Sequence, residues 1–275
     1  MYRAALGLPV LCVSLRTLTV PFLLATWAAS CVPSEPTDAV PTASSARPAS
    51  NANKASAAKK AEPRATAPSA RKPAKLVPGD MIASTFEDRF DRASIGEDWH
   101  RLGTAWSIKD GKLCGKGARN QGIWLRRRLP TNARIEFEAS SDSPDGDIKA
   151  EFWGDGSSGA TAASYSNATS YLTIFGGWKN TYHVLARIDE HAKDRLAIQI
   201  NPDSTHVREM PVSTGQIYRF RVERSDGKTV SWWVDDQLIH KLADPNPLLG
   251  EGHEYFGFNN WEAPVCFGNL TITPL

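Results

Sequence analysis

The stretch DIKAEFWGDG, residues 147–156, crowds three carboxylates, one lysine and two aromatic rings into ten positions. Two carboxyls held about 5 to 9 Å apart can act as proton donor and as nucleophile or base at a bond between them. Glu151 in this stretch and Glu136 in ARIEFEA, residues 133–139, are the candidate pair. Asp142, Asp145 and Asp147 supply hard oxygen ligands of the kind calcium takes. Their spacing does not follow the twelve-residue calcium loop, and Asp145-Gly146 and Asp155-Gly156 are first of all turn signals. His183, His191 and Tyr171 are of the types that could remove a proton beside a carboxylate, with Arg187 of the type that neutralises that carboxylate, but no spacing singles them out. No His/Cys group has zinc spacing, and neither a nucleophile elbow nor a phosphate loop occurs.

These side chains need a scaffold, and the hydropathy pattern supplies one. In DIKAEFW, Ile148, Ala150 and Phe152 alternate with Lys149, Glu151 and Trp153. ARIEFEA, YLTIF, HVLARID, IYRFRVE, VSWWVD and FGNLTITPL repeat the habit, and period-two patterning predicts strands with one buried face. KDGK, SPDGD, SDGK and VDDQ mark turns between them. The fold class predicted over residues 79–275 is all-β, a two-sheet antiparallel sandwich or jelly roll, with no internal repeat. Parity predicts that Lys149, Glu151 and Trp153, with Tyr171, Thr173 and Phe175, look away from the core. Arg187, Asp189 and His191 form one further set on a strand of ambiguous phase.

The first 78 residues differ in kind. Arg3 and Arg16, an apolar run from Thr17 to Ala29 and a small-residue exit predict a signal peptide over residues 1–30. The run is shorter than the roughly 20 apolar residues a membrane-spanning helix needs. Ala28-Ala29-Ser30-Cys31 resembles a bacterial lipobox, although Ala28 stands where leucine is usual. That resemblance implies lipidation of Cys31 and an anchor worth about 0.8 kcal/mol per buried methylene. Plain secretion with cleavage near Ser30 is the alternative. Residues 31–78, rich in Ala, Pro, Ser and Lys and without an aromatic, are predicted to be an unstructured tether.

The whole chain has 32 Lys and Arg against 30 Asp and Glu, a charge of +2. Residues 1–80 hold 10 basic and 4 acidic side chains, leaving 22 and 26 on residues 81–275, a balance of −4. A folded part of that charge lacks the basic footprint of a nucleic-acid binder. No nucleic-acid partner is expected, and the lipid anchor is the only membrane contact.

FEDRFDRASIGEDW, WSIKDGKL, RIEFEA, IYRFRVERSDGKTVSWWVDDQLI and VCFGNLTITPL carry a resemblance to the concanavalin A-like lectin/glucanase superfamily. The chain is most similar to its lectin-like and 3-keto-disaccharide hydrolase-like domains. The resemblance implies two large antiparallel sheets and a carbohydrate or polysaccharide ligand on a concave sheet face, and a monomer is expected. On that face Trp153, Trp178 and Trp261 would stack on sugar rings, while Tyr171, Arg187, Asp189, His191, Asn259 and Asn260 would bond hydroxyls. The superfamily's glucanases use a Glu-x-Asp-x-Glu strand. Here Glu136-Phe-Glu138-Ala-Ser140 lacks the final acid, so the resemblance implies binding more directly than cleavage. Cleavage by a hydrolase or lyase on the same face, and an envelope protein-interaction module, are the alternatives. Calcium is the one cofactor the resemblance suggests. Pairing of opening and closing strands would bring Cys114 near Cys266, either as a disulfide or as two separate thiols.

Overall fold

The computed structural model describes residues 76–275. The predicted signal peptide, Cys31 and nearly all of the predicted tether lie outside the described residues.

Among the described residues fifteen strands form two antiparallel sheets. The seven-stranded sheet runs β10 (Leu196–Gln199), β9 (Tyr182–Arg187), β8 (Tyr171–Gly176), β7 (Ile148–Gly154), β14 (Tyr255–Asn259), β5 (Ile123–Leu125) and β2 (Trp99–Arg101). The other runs β13 (Gln237–Ala243), β12 (Thr229–Val234), β11 (Ile217–Arg224), β6 (Ala133–Ser141), β15 (Val265–Pro274), β4 (Lys112–Gly115) and β3 (Trp106–Lys109). Its eighth strand, β1 (Phe86–Asp88), pairs with β15 beyond the end of β4. This is the two-sheet sandwich that the alternating pattern predicts.

β6 shows why the pattern was legible. Its nine residues alternate buried and half-buried without a break, so Ile135 and Phe137 enter the core while Glu136 and Glu138 face outward. The two inner faces meet in an aromatic cluster: Phe258 lies 4.0 Å from Phe267 and 5.1 Å from Phe137 across the sheets, and Phe137 stacks on its cross-strand neighbour Phe220 at 4.9 Å, centroid to centroid. Such contacts add about 0.5–1.5 kcal/mol each beyond area burial. Cys114 and Cys266 sit opposite one another on β4 and β15 and are joined by a disulfide.

β7 and β8 are different, because every one of their residues is buried. Both faces of the sheet centre are therefore covered. Leu172, Ile174, Val184 and Ala186 point away from the intersheet core and pack under Tyr165 and Ala168 of the 155–170 loop. This second layer shapes the site.

Candidate functional site

Strand phase decides which predicted residues can reach a ligand. β8 pairs with β7 so that Ile148 faces Phe175, Ala150 faces Thr173 and Phe152 faces Tyr171. Tyr171 and Phe175 therefore point into the core, opposite to expectation. Both residue sets on β8 are largely apolar, so alternation alone could not choose between them. Tyr171 is buried, with its hydroxyl donating to Asp244 Oδ2 at 2.7 Å. Arg187 lies opposite Tyr171 and bonds the same carboxylate at 2.8 Å. Neither faces the outer side of the sheet.

Trp153 is displaced by a bulge. Tyr255 pairs with Gly154 and Gly257 with Glu151, which leaves Phe152 and Trp153 opposite Phe256 alone. The extra residue reverses the side-chain phase. Trp153, at φ 54°, turns into the core, is fully buried and lies under the Arg224 guanidinium at 3.9 Å from its ring centroid. It is a packing residue, not a platform.

The Glu136–Glu151 pair is not assembled. Glu136 lies on the outer face of the eight-stranded sheet opposite Arg221 and Thr271, whereas Glu151 belongs to the other sheet. Glu151 is sealed beneath the 155–170 loop, accepting hydrogen bonds from Ser170 Oγ at 2.6 Å, Asn259 Nδ2 at 2.5 Å and Tyr165 Oη at 3.1 Å. Burial outweighs these donors and pushes its carboxyl up to about 7. An unfolded glutamate titrates near 4.3. Between those values the folded state holds the extra proton, so stability falls as pH rises through this window, by on the order of 3 kcal/mol. Urea denaturation of Glu151→Gln is expected to lose most of the decline between pH 5 and 8. An unchanged slope would assign the titration elsewhere.

What the fold does assemble is a cleft of about 510 Å³ over the sheet face beside this loop. Trp178 and Trp261 line it with Asn120, Asp145, Asp147, Lys149, Glu190 and His191. On its floor Lys149 Nζ donates to Glu190 Oε2 at 2.6 Å and to Asn120 Oδ1 at 2.8 Å. An ammonium has three donors, so one remains for a ligand. Glu190 Oε1 accepts the Tyr165 N–H at 3.2 Å, with His191 Nε2 3.4 Å away.

Asp147 stands at the entrance to β7, where its N–H donates to Gly176 O at 2.9 Å. Side chains could not allow that approach: a Cβ at Gly146 would come within 2.7 Å of the Gly176 oxygen. Asp147 Oδ2 accepts the Trp261 N–H at 3.0 Å. By surface area the residue is only half-buried, but its carboxyl lies deep among neighbouring atoms, which governs its ionisation. Desolvation raises its pKa, with nearby Lys149 opposing.

Trp178 is presented by a strained turn. Trp178, Lys179 and Asn180 have φ of 51°, 57° and 59°. Left-handed backbone costs a non-glycine residue roughly 1–2 kcal/mol. Asn180 offsets this by donating to Pro144 O and Val212 O and accepting the Val212 N–H, while Thr181 Oγ1 bonds Trp178 O. Arg195 stacks over the indole at 4.6 Å and the His191 ring meets it edge-on at 5.4 Å. Such strain persists where surrounding structure fixes a side chain for use.

The remaining predicted residues divide. Asn259 and Asn260 are buried scaffold: Asn259 bonds Glu151, while Asn260 receives the Ala118 N–H and bonds Ala263 O. Asp189 accepts the His191 N–H in a turn and does not line the cleft. Asp142 is exposed, Asp145 is at the cleft rim and Asp147 is on the floor. Among the described residues no three His, Cys, Asp or Glu groups converge to hold a metal ion. Asn120 and Glu190 gave no signal in sequence. Lys149 did, through its parity with Glu151.

No family model and no curated protein sequence matches the chain. Solved structures with a similar chain path include the carbohydrate-binding module CBM66 from Bacillus subtilis, at TM-score 0.46 and 15% identity, covering 64% of this chain and 95% of that one. The Bacillus licheniformis β-glucanase gives TM-score 0.49 and 9% identity over 71% of this chain and 100% of its own. The carbohydrate recognition domain of Emp47p gives 0.45 and 13% over 70% and 95%. Likeness at these levels concerns the fold, and the chemistry of the site rests on its own residues.

Proposed function

We propose that residues 79–275 form a lectin-like carbohydrate-binding domain whose site is the cleft between Trp178 and Trp261. The observation that carries this reading is the combination of two half-buried indoles with a floor of Lys149, Asn120, Glu190 and Asp147. Sugars present apolar C–H faces beside hydroxyls, and a cleft with aromatic walls and a few fixed polar groups suits both. A hydroxyl can accept the remaining Lys149 N–H and donate to Asp147 Oδ1, which has no partner among the described residues. In this reading residues 1–30 are a signal peptide, Cys31 carries the lipid and residues 31–78 hold the domain outside the cytoplasm.

A glycan-array screen of the purified protein, with and without calcium, tests the proposal, followed by mass spectrometry of the bound glycans. Specific binding with intact glycans is expected. Cleaved glycans would instead make the protein an enzyme, with Asp147 and Glu190 the first of the cleft carboxyls to substitute. No binding across a broad array would sink the proposal.

A further inference from the structure

A second groove, of about 820 Å³, opens beside β2 and β3, the edge strands of the two sheets. Ser94, Glu97, His100, Arg101, Ser107 and Arg126 supply its polar lining. Arg126 begins the run Arg126-Arg127-Arg128. Arg127 pairs with Asp98 and Arg128 with Glu254, but no carboxylate lies within ion-pair distance of Arg126 among the described residues. Its Nε is buried and has no hydrogen-bond partner. A buried donor left unmade costs free energy, and in a native structure it calls for a water or ligand that completes it.

His100 lies beside Arg126 in the same lining. It is 4% exposed, and no described protein group hydrogen-bonds its ring. Burial and the nearby Arg126 charge lower its pKa, so the ring is neutral near pH 7 and has one N–H to donate. Arg101 stands exposed at the rim, also without a carboxylate partner among the described residues. Glu97 is the only acidic side chain in the lining, so two guanidinium groups face one carboxylate.

We propose that this groove is a binding site for a single oxyanionic group, a carboxylate, sulfate or phosphate, held by Arg126 with His100 and Arg101. The planar guanidinium fork matches such oxygens two at a time, which a solvated point charge does not. The site is separate from the tryptophan cleft and stands whether or not that cleft takes sugar.

The test titrates the full chain, labelled at histidine, with sodium sulfate, phosphate and glucuronate while chloride holds ionic strength constant, which removes general screening. The His100 ring resonance, assigned by its loss in His100→Gln, is followed by NMR. A saturable shift with at least one anion is expected, and the ranking among the three separates a tetrahedral from a planar group. Arg126→Gln is expected to weaken binding at least about tenfold, consistent with loss of a charge-assisted contact. Arg126→Lys keeps the charge and loses the fork, so it too is expected to weaken binding while the protein stays folded. No saturable shift with any of the three anions, or unchanged binding by a folded Arg126→Lys and Arg126→Gln, would overturn the proposal.

Discussion

Replacing Lys149 by methionine is expected to lower the free energy of unfolding by about 3–5 kcal/mol, the usual cost of leaving a buried charge without its partner. Lys149 is 3% exposed and Glu190 5%, so water solvates either charge poorly. Without the ammonium, Glu190 and Asp147 become neighbouring buried carboxyls with no cation between them. The reverse change, Glu190→Gln, is expected to cost less, about 1–3 kcal/mol, because Asp147 is close enough to hold Lys149 electrostatically and glutamine still accepts from the ammonium. The double variant should recover part of the loss, since replacing both members of a buried pair is often near neutral. Urea denaturation of the four proteins closes the thermodynamic cycle. Additive single losses would mean that the two side chains do not depend on one another, contrary to their 2.6 Å contact.

Trp178→Ala and Trp261→Ala are each expected to weaken glycan binding by about 2 kcal/mol or more, roughly thirtyfold, as truncation of an aromatic anchor commonly does. Both indoles are half-buried and line the cleft, so most of each loss should appear in affinity and little in stability. Trp153→Ala is the informative contrast. Its ring is fully buried in the intersheet core, and its removal is expected to cost about 3–5 kcal/mol of stability. The fraction that remains folded should bind glycan as the parent protein does. Calorimetry of all three variants against the best glycan from the array separates the roles. Parent-like affinity in Trp178→Ala and Trp261→Ala would remove the cleft as the sugar site.

The residues that define the sandwich announce themselves locally. β6 and β11 alternate because one face meets the core and the other meets water, and a period of two survives in the sequence wherever that asymmetry holds. The turns between strands likewise use Asp and Gly where the chain must reverse, as at Asp226-Gly227, where the Asp226 carboxylate bonds the Lys228 and Thr229 N–H groups. The charge balance and the two internal cysteines are also properties of composition. The sequence by itself therefore determined an all-β sandwich, marked residues 1–78 as different in kind, and supplied Trp178, Trp261, Asp147 and His191 as candidates.

Only the tertiary structure decided which candidates meet. At β7 and β8 both sheet faces are covered, so apolar residues occupy both phases and alternation no longer reports direction. The bulge opposite Phe256 is one extra residue in the pairing of two strands distant in sequence, and it alone sends Trp153 inward. Glu136 and Glu151 were separated by sheet order, a long-range pairing that neither residue's neighbours encode. The cleft floor joins Asn120, Lys149 and Glu190 from three separate stretches of chain. Local patterning records whether a residue is buried, whereas its partners depend on which strands and loops the closed sandwich brings together.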